Sequence, residues 1–126
     1  IGDLKEETVA KSSAEVVKED KKVTVDGAYK IAVKKTATTM IDEDATTHVK
    51  GEVHETVDKK ITIQCGDTKV VVDKSGNIMI EGKDLDLKID GPVKMNGKKF
   101  KVKSDGSIDI EAGGAIKIKG SGVNIN

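Results

Sequence analysis

Five aspartates in the second half of the chain are the first candidates for catalysis, because a pair of carboxylates can hydrolyse a glycosidic bond. They are Asp84, Asp86, Asp90, Asp105 and Asp109. They alternate with apolar residues, namely Leu85, Leu87, Ile89, Ile108 and Ile110. Such alternation is typical of the polar face of a half-buried strand. We interpret these aspartates as a solvated exterior and predict no catalytic residues, no enzymatic activity and no cofactor.

His48 and His54 are the candidate imidazole ligands for a metal. They are six residues apart and occupy the second and eighth places of the repeat described below, so they face different ways. We interpret both as surface histidines and predict no metal site.

Cys65 is the only cysteine, which rules out an intrachain disulfide framework. It occupies a place that we predict to face inward, where cysteine usually packs as a small hydrophobic side chain. A threefold axis would bring three copies together, which is the one argument for a metal there. We favour the packing role.

The composition excludes several functional classes. The 126 residues include 22 lysines, no arginine and 22 acidic residues, and the only aromatic side chains are Tyr29 and Phe100. A nucleic-acid-binding surface usually needs a basic excess and aromatic rings, so we predict no nucleic-acid partner.

Neither a signal peptide nor a membrane-length apolar run is visible. Residue 1 is Ile, so we expect a fragment of a longer chain, with residues 1–6 as a linker or cut end.

An eight-residue repeat begins at Glu7 and runs through eight blocks without an insertion: ETVAKSSA, EVVKEDKK, VTVDGAYK, IAVKKTAT, TMIDEDAT, THVKGEVH, ETVDKKIT and IQCGDTKV. The third place of each block is small and apolar, and we expect it to face a core. These core residues are Val9, Val17, Val25, Val33, Ile41, Val49, Val57 and Cys65. Residues eight apart form no stripe on an α-helix, whereas an even period returns the same face of a strand in every block. The octad therefore predicts strands and turns.

The second half keeps this rhythm with small slips. Apolar residues two apart recur at 61/63, 70/72, 78/80, 87/89, 93/95, 100/102, 108/110, 116/118 and 123/125. The inward positions are odd-numbered to Cys65, even from Val70 to Ile80, odd from Leu85 to Met95, even from Phe100 to Ile118, and then odd again. Each change of parity requires a turn that absorbs one residue. Glycines lie near the changes, at Gly66, Gly82, Gly97, Gly120 and Gly122, and glycine accepts the positive φ that we expect at such corners.

One chain cannot enclose a core with such short blocks, since eight residues give about two strand segments of about three residues. Three identical chains wound together would close a triangular prism and leave no lateral sheet edge. We therefore expect an all-β fold, an intertwined trimeric (triple-stranded) β-helix or β-prism built on the octapeptide repeat. Residues 7–65 would form a regular shaft, and residues 66–126 a glycine-punctuated needle.

Two stretches carry a resemblance to known proteins. Val25-Asp26-Gly27 and Val49-Lys50-Gly51 fit a V-x-G-x-x-x-x-x octad, which resembles the intertwined triple β-helix of bacteriophage tail spikes. The stretch from Ile61-Thr62-Ile63-Gln64-Cys65-Gly66 to Gly120-Ser121-Gly122-Val123-Asn124-Ile125-Asn126 resembles VgrG, the spike protein family of the type VI secretion system. The resemblance covers the chain from about Glu7 onward.

The resemblance implies a homotrimeric structural protein, a cell-puncturing needle at the tip of a contracting tube that crosses the target membrane transiently. It implies a PAAR-repeat tip protein docked on Gly122, Val123, Asn124, Ile125 and Asn126, with effector proteins carried along. It further implies contact with the secretion tube protein through an N-terminal base that is absent from these residues. Assembly in the bacterial cytoplasm would be followed by ejection out of the cell or into a target cell, without a signal peptide.

Several residues depart from the family pattern. The motif glycine of the fifth place is replaced by Lys11, Glu19, Lys35, Glu43 and Lys59, so we expect a looser or wider early shaft. Phage spikes with a self-made point often bind a metal through a His-x-His sequence near the end, and none occurs here. That difference favours a blunt end capped by another protein.

Three questions stay open in the sequence. The first place of the octad holds both acidic residues (Glu7, Glu15 and Glu55) and apolar ones (Val23, Ile31 and Ile63). If this place faced inward, the carboxylates would need water, cations or protonation. We favour the interpretation that it lies near a corner of the chain that is exposed to water. Residues 4–20 contain helix formers, although the octad register argues for strand. A passive trimeric shaft of a phage tail fibre or adhesin would show the same repeat as a spike.

Overall fold

The computed structural model describes residues 6–125, which contain three β-strands and no helix. The strands are β1 (Lys60–Cys65), β2 (Thr68–Asp73) and β3 (Ile78–Glu81), and they form one antiparallel sheet in the order β1-β2-β3. The remaining residues are extended segments separated by bends. The predicted β-rich class is thus confirmed, and residues 6–20 are extended instead of helical.

The chain divides into two units between His54 and Glu55. In the first unit, bends lie at residues 10–11, 18–19, 26–27, 34–35, 42–43 and 50–51. In the second unit, another bend lies at residues 58–59. All of these bends occupy the fourth and fifth places of an octad. The eight-residue sequence repeat is therefore also a repeat of backbone conformation.

The bends do not depend on glycine. Only Gly27 and Gly51 occupy the fifth place as glycines, and the same bend occurs where that place holds lysine or glutamate. No non-glycine residue of the described chain has a positive φ, so the bend is made from ordinary backbone angles. A Cβ atom at Gly27 or Gly51 would meet no atom of the same chain within 4 Å.

The sheet has one apolar face. Ile61 pairs with Val72, Ile63 with Val70, and these two valines pair with Ile78 and Ile80 on β3. Directly paired residues of an antiparallel sheet point to the same side. The register thus places odd-numbered residues of β1 with even-numbered residues of β2 and β3, which confirms the predicted change of parity near Gly66.

Two tight connections set this register. Gly66 and Asp67 form a two-residue hairpin loop between β1 and β2, in which Gly66 has φ 56°. A positive φ at the first loop position alone is typical of a type II′ turn, whose twist matches that of the strands. Between β2 and β3 the chain reverses through residues 74–77, where Gly76 has φ 83°.

Only part of the expectation about glycine conformation is correct. The positive φ expected at the corners is confirmed at Gly66 and is wrong at Gly82, Gly97, Gly120 and Gly122. Those four glycines lie next to the bends at residues 83, 98 and 121 and do not enter the left-handed region, so the bends beside them form without a positive φ.

After the sheet, bends return at residues 83, 90–91, 98, 105–106, 113–114 and 121. Each extended segment between them contains apolar residues two apart: Leu87/Ile89, Val93/Met95, Phe100/Val102, Ile108/Ile110, Ile116/Ile118 and Val123/Ile125. The predicted near-octad rhythm of the second half therefore reappears as a series of short extended segments, each with at least one pair of apolar residues two apart.

The described part of the single chain forms no hydrophobic core. None of the described residues is buried, and only Ile61, Lys69, Val70, Val71 and Asp73 are even half-buried. The accessible surface is 14777 Å², whereas a folded monomer of this mass would expose only about 6,500 Å². An excess of about 8,000 Å² is thus left for other molecules or water to cover.

Candidate assembly interface and tip

The apolar third place of the octad is the first component of a candidate interface. Its residues from Val9 to Val57 are 45–55% exposed in the single chain. On the segment that holds Val17, the neighbouring Val16 is 84% exposed, compared with 45% for Val17. Adjacent strand residues point to opposite sides, so Val17 lies on the more sheltered side of the segment. The octad therefore places one partly sheltered apolar side chain at each repeat.

Unpaired backbone is the second component. Within residues 6–58 and 82–125 the structure shows no backbone-to-backbone hydrogen bond. More than nine in ten buried backbone polar groups in native proteins have a partner. Extended segments with free N–H and C=O groups and a line of apolar side chains have the properties of strands that lack their neighbours.

The apolar face of the β1–β3 sheet is the third component. Its residues are Ile61, Ile63, Cys65, Thr68, Val70, Val72, Ile78 and Ile80, and Ile63 and Ile78 are 65% and 73% exposed. The opposite face contains Lys60, Thr62, Gln64, Lys69, Val71, Asp73, Met79 and Glu81. The two faces thus differ strongly in polarity, although neither is covered within the chain.

Asp73 anchors the loop between β2 and β3. Its Oδ1 accepts hydrogen bonds from the backbone N–H of Ser75 at 2.8 Å and of Asn77 at 3.2 Å, and its Oδ2 accepts one from Asn77 Nδ2 at 3.1 Å. The side-chain and backbone hydrogen bonds of Asn77, assisted by the Ser75 N–H and the positive charge of Lys60, lower the pKa of Asp73. The ionised carboxylate therefore holds this turn.

The predicted tip-binding residues lie in the last extended segment, which follows the bend at Ser121. Gly122, Val123, Asn124 and Ile125 are all exposed, and Ile125 reaches 91%. Asn126, the fifth predicted residue, lies outside the described residues. The structure places Gly122 to Ile125 together on one segment because they are consecutive.

The five aspartates that might have formed an acid pair are exposed, and two of them engage local partners. Asp86 Oδ2 lies 3.3 Å from Lys88 Nζ, and Asp109 Oδ2 accepts a hydrogen bond from Ser107 Oγ at 3.0 Å. At the bend that contains Asp105, the Gly106 N–H donates to Ser104 Oγ at 3.2 Å. These contacts fit the interpretation of a solvated exterior.

The histidines, the cysteine and the first-place glutamates are also exposed. His54 Nε2 lies 3.0 Å from Glu52 Oε2, and Glu15 Oε2 accepts a hydrogen bond from Lys21 Nζ at 2.6 Å. Cys65 is a free thiol at the end of β1. Over residues 6–125, no group of three His, Cys, Asp or Glu side chains is arranged to hold a metal, and no cavity is present.

No described residue belongs to a helix with the length and apolar character needed to cross a membrane. Comparison of the chain with protein-family models, curated proteins and solved structures finds no match.

Sequence reasoning missed two features of this surface. It did not predict the antiparallel pairing of β1, β2 and β3, because the eight-residue rhythm of the apolar pairs continues through them. It also passed over Asp73 as a turn anchor. The signal was present in the order Asp73-Lys74-Ser75-Gly76-Asn77, since an aspartate before Ser-Gly can accept bonds from the next backbone N–H groups.

Proposed function

We propose that this chain is one of the three identical chains of an intertwined β-helical needle. The needle would be the spike of a contractile injection apparatus of the type VI secretion kind. The needle would puncture a target-cell envelope and carry a PAAR-repeat tip protein with its effectors. The observation that carries the proposal is the combination of an octad-spaced bend with a complete lack of buried residues among those described.

Burial is the first argument. A chain of this length normally buries about two thirds of its unfolded surface, and this one leaves 14777 Å² exposed. Apolar side chains at every octad and at every later segment would be covered if identical chains packed their lines together. Such packing supplies the hydrophobic stabilisation that the single chain lacks.

Hydrogen bonding is the second argument. Extended segments without intrachain backbone partners can pair with the same segments of neighbouring chains, and closure around an axis leaves no lateral edge. Three chains give the smallest closed prism. The resulting rod shares hydrogen bonds along its length, so bending or compression must break many of them together. This property suits a needle that transmits force.

The resemblance to VgrG, which includes Gly122 to Asn126, favours a capped spike over a passive shaft. Shaft and spike share the same architecture, and the partner at this segment distinguishes them.

The test is capture of a PAAR-repeat protein by the purified trimer. We expect the unmodified chain to bind it and Ile125→Asp to bind at least tenfold more weakly, with the trimer mass unchanged. The control is Lys103→Asp, an exposed charge change outside the last segment. A trimer that captures no PAAR-repeat protein under conditions where a known spike does would support the passive shaft. A chain that forms no trimer would refute both.

A further inference from the structure

The β1–β3 sheet differs from the rest of the chain in being stabilised by its own hydrogen bonds. We propose that this sheet is the site at which three copies of the chain lock into a single register, with its apolar face covered by the same face of two other copies. This proposal rests on the proposed trimer and adds a specific role for residues 60–81.

Repeats alone cannot fix the alignment of three chains. A shift of one chain by eight residues places valine on valine at most third places, as the run Val9, Val17, Val25, Val33 shows. The bends also recur every eight residues from 10–11 to 58–59, so the shifted backbone matches as well. Pairing that repeats in this way is prone to slippage. A trimer with one register therefore needs an element that occurs once.

The sheet is such an element. Among the described residues, β1, β2 and β3 are the only hydrogen-bonded strands. Their two connections are a two-residue loop with Gly66 at φ 56° and a loop held by Asp73. Contacts between neighbours in sequence form faster than distant ones, so the sheet can form within one chain before the long segments pair.

The apolar face requires a cover, and the position of the sheet in the sequence indicates which one. The sheet lies between two tracts, residues 7–59 and 83–125, whose apolar lines the proposed trimer covers with identical chains. The same chains continue past residues 60–81 and bring the same face with them. Ile63, Ile78 and Ile80 of one copy would then meet those of the others, while Lys60, Lys69 and Glu81 on the opposite face stay in water.

An insertion that leaves the sheet unaltered tests this directly. Residues 23–30 are duplicated once in a variant chain, which adds one octad before the sheet. All chains also carry Cys65→Ala, which removes the thiol and keeps a small apolar side chain at that position. Native-length and lengthened chains with different affinity tags are refolded together, and mixed trimers are purified. Spin labels are attached at Lys18→Cys, before the insertion, or at Lys101→Cys, after the sheet.

If the sheet sets the register, labels at residue 101 give one short interchain distance in the mixed trimers, and labels at residue 18 are offset by one octad. The reverse pattern, with residue 18 aligned and residue 101 offset, overturns the proposal. So does failure of the two chain lengths to mix, because register would then depend on the whole length. If even the native-length chain forms no trimer, the proposed function itself fails, and light scattering distinguishes that case.

A second comparison addresses the apolar face. Ile80 and Met79 are neighbours on β3 and lie on opposite faces of the sheet. We expect Ile80→Ser to add longer distances at residue 101 in native-length trimers, which report slipped registers, and Met79→Ser to keep the single distance. A single distance in both variants contradicts a role for this face, and where Ile80→Ser prevents assembly the insertion experiment decides.

Discussion

Val16 and Val17 offer a matched pair for testing the core predicted from the octad. They are adjacent on one extended segment, and their exposed fractions are 84% and 45%. We propose the substitutions Val17→Asp and Val16→Asp, which add the same charge at neighbouring positions. In the proposed trimer, Val17 faces the shared core and Val16 faces water, so only the first variant places three carboxylates inside.

The size of the effect follows from the exposure of Val17. Full burial of a valine side chain contributes about 1.5–3 kcal/mol, and its own chain leaves 45% of Val17 for the partners to cover. The partners would thus contribute about 0.7–1.4 kcal/mol per chain, or about 2–4 kcal/mol per trimer. Loss of that amount weakens trimer formation by about 30- to 700-fold. Desolvation of the carboxylates adds to this minimum.

The assay is sedimentation equilibrium of both variants and the unmodified chain over a range of concentrations. We expect the equilibrium constant for trimer formation to fall by at least about 30-fold for Val17→Asp. The midpoint concentration of dissociation scales as the square root of this constant, so it should move by at least about fivefold for Val17→Asp and by less than about twofold for Val16→Asp. Equal effects of the two substitutions would refute the assignment of an inward third place. A larger effect of Val16→Asp would reverse it.

Three further predictions concern local structure. Gly66→Ala should destabilise the hairpin by about 1–2 kcal/mol per chain, because Gly66 has φ 56°. Gly27→Ala should change the free energy of unfolding little, because Gly27 has an ordinary φ and open space around it. Hydrogen exchange of the β1 and β2 amides measures both effects. Because the pKa of Asp73 is lowered in the folded chain, its stabilising effect is fully present above the ordinary carboxyl pKa and is lost as pH falls through the lower folded value. Amide exchange at Ser75 and Asn77 should therefore rise in that acidic range, and Asp73→Ala should remove this pH dependence. An unchanged pH profile in the variant would contradict the role of Asp73 as the turn anchor. Lys21→Ala should change stability by no more than about 1 kcal/mol, since its ion pair with Glu15 is exposed; a larger change in thermal unfolding would show that the pair is buried in the assembly.

Even-period repeats make part of this fold predictable from sequence. The valines at the third place defined the period and register of the octad. The backbone bends at the fourth and fifth places, directly after each of these valines. The change of parity at Gly66 was also predictable, because apolar residues at Ile63 and Val70 can share a face only if a turn absorbs one residue. These inferences depend on local geometry that a strand imposes on any sequence.

Other features depend on contacts that the apolar pattern does not specify. Ile61/Ile63, Val70/Val72 and Ile78/Ile80 continue the rhythm of the octad, yet they pair within the chain in an antiparallel sheet. A two-residue loop at Gly66 and an aspartate-anchored loop after Asp73 decide that outcome, and the apolar pattern specifies neither. The candidate tip segment was identified by resemblance alone, since Val123 and Ile125 repeat the pattern of the segments before them.

The molar mass of the purified chain in solution, measured by light scattering over a range of concentrations, tests the central claim most directly. We predict three times the chain mass of 13.4 kDa at concentrations above the midpoint of trimer dissociation. A monomer at every concentration would contradict the intertwined needle, and the proposed spike function would fall with it.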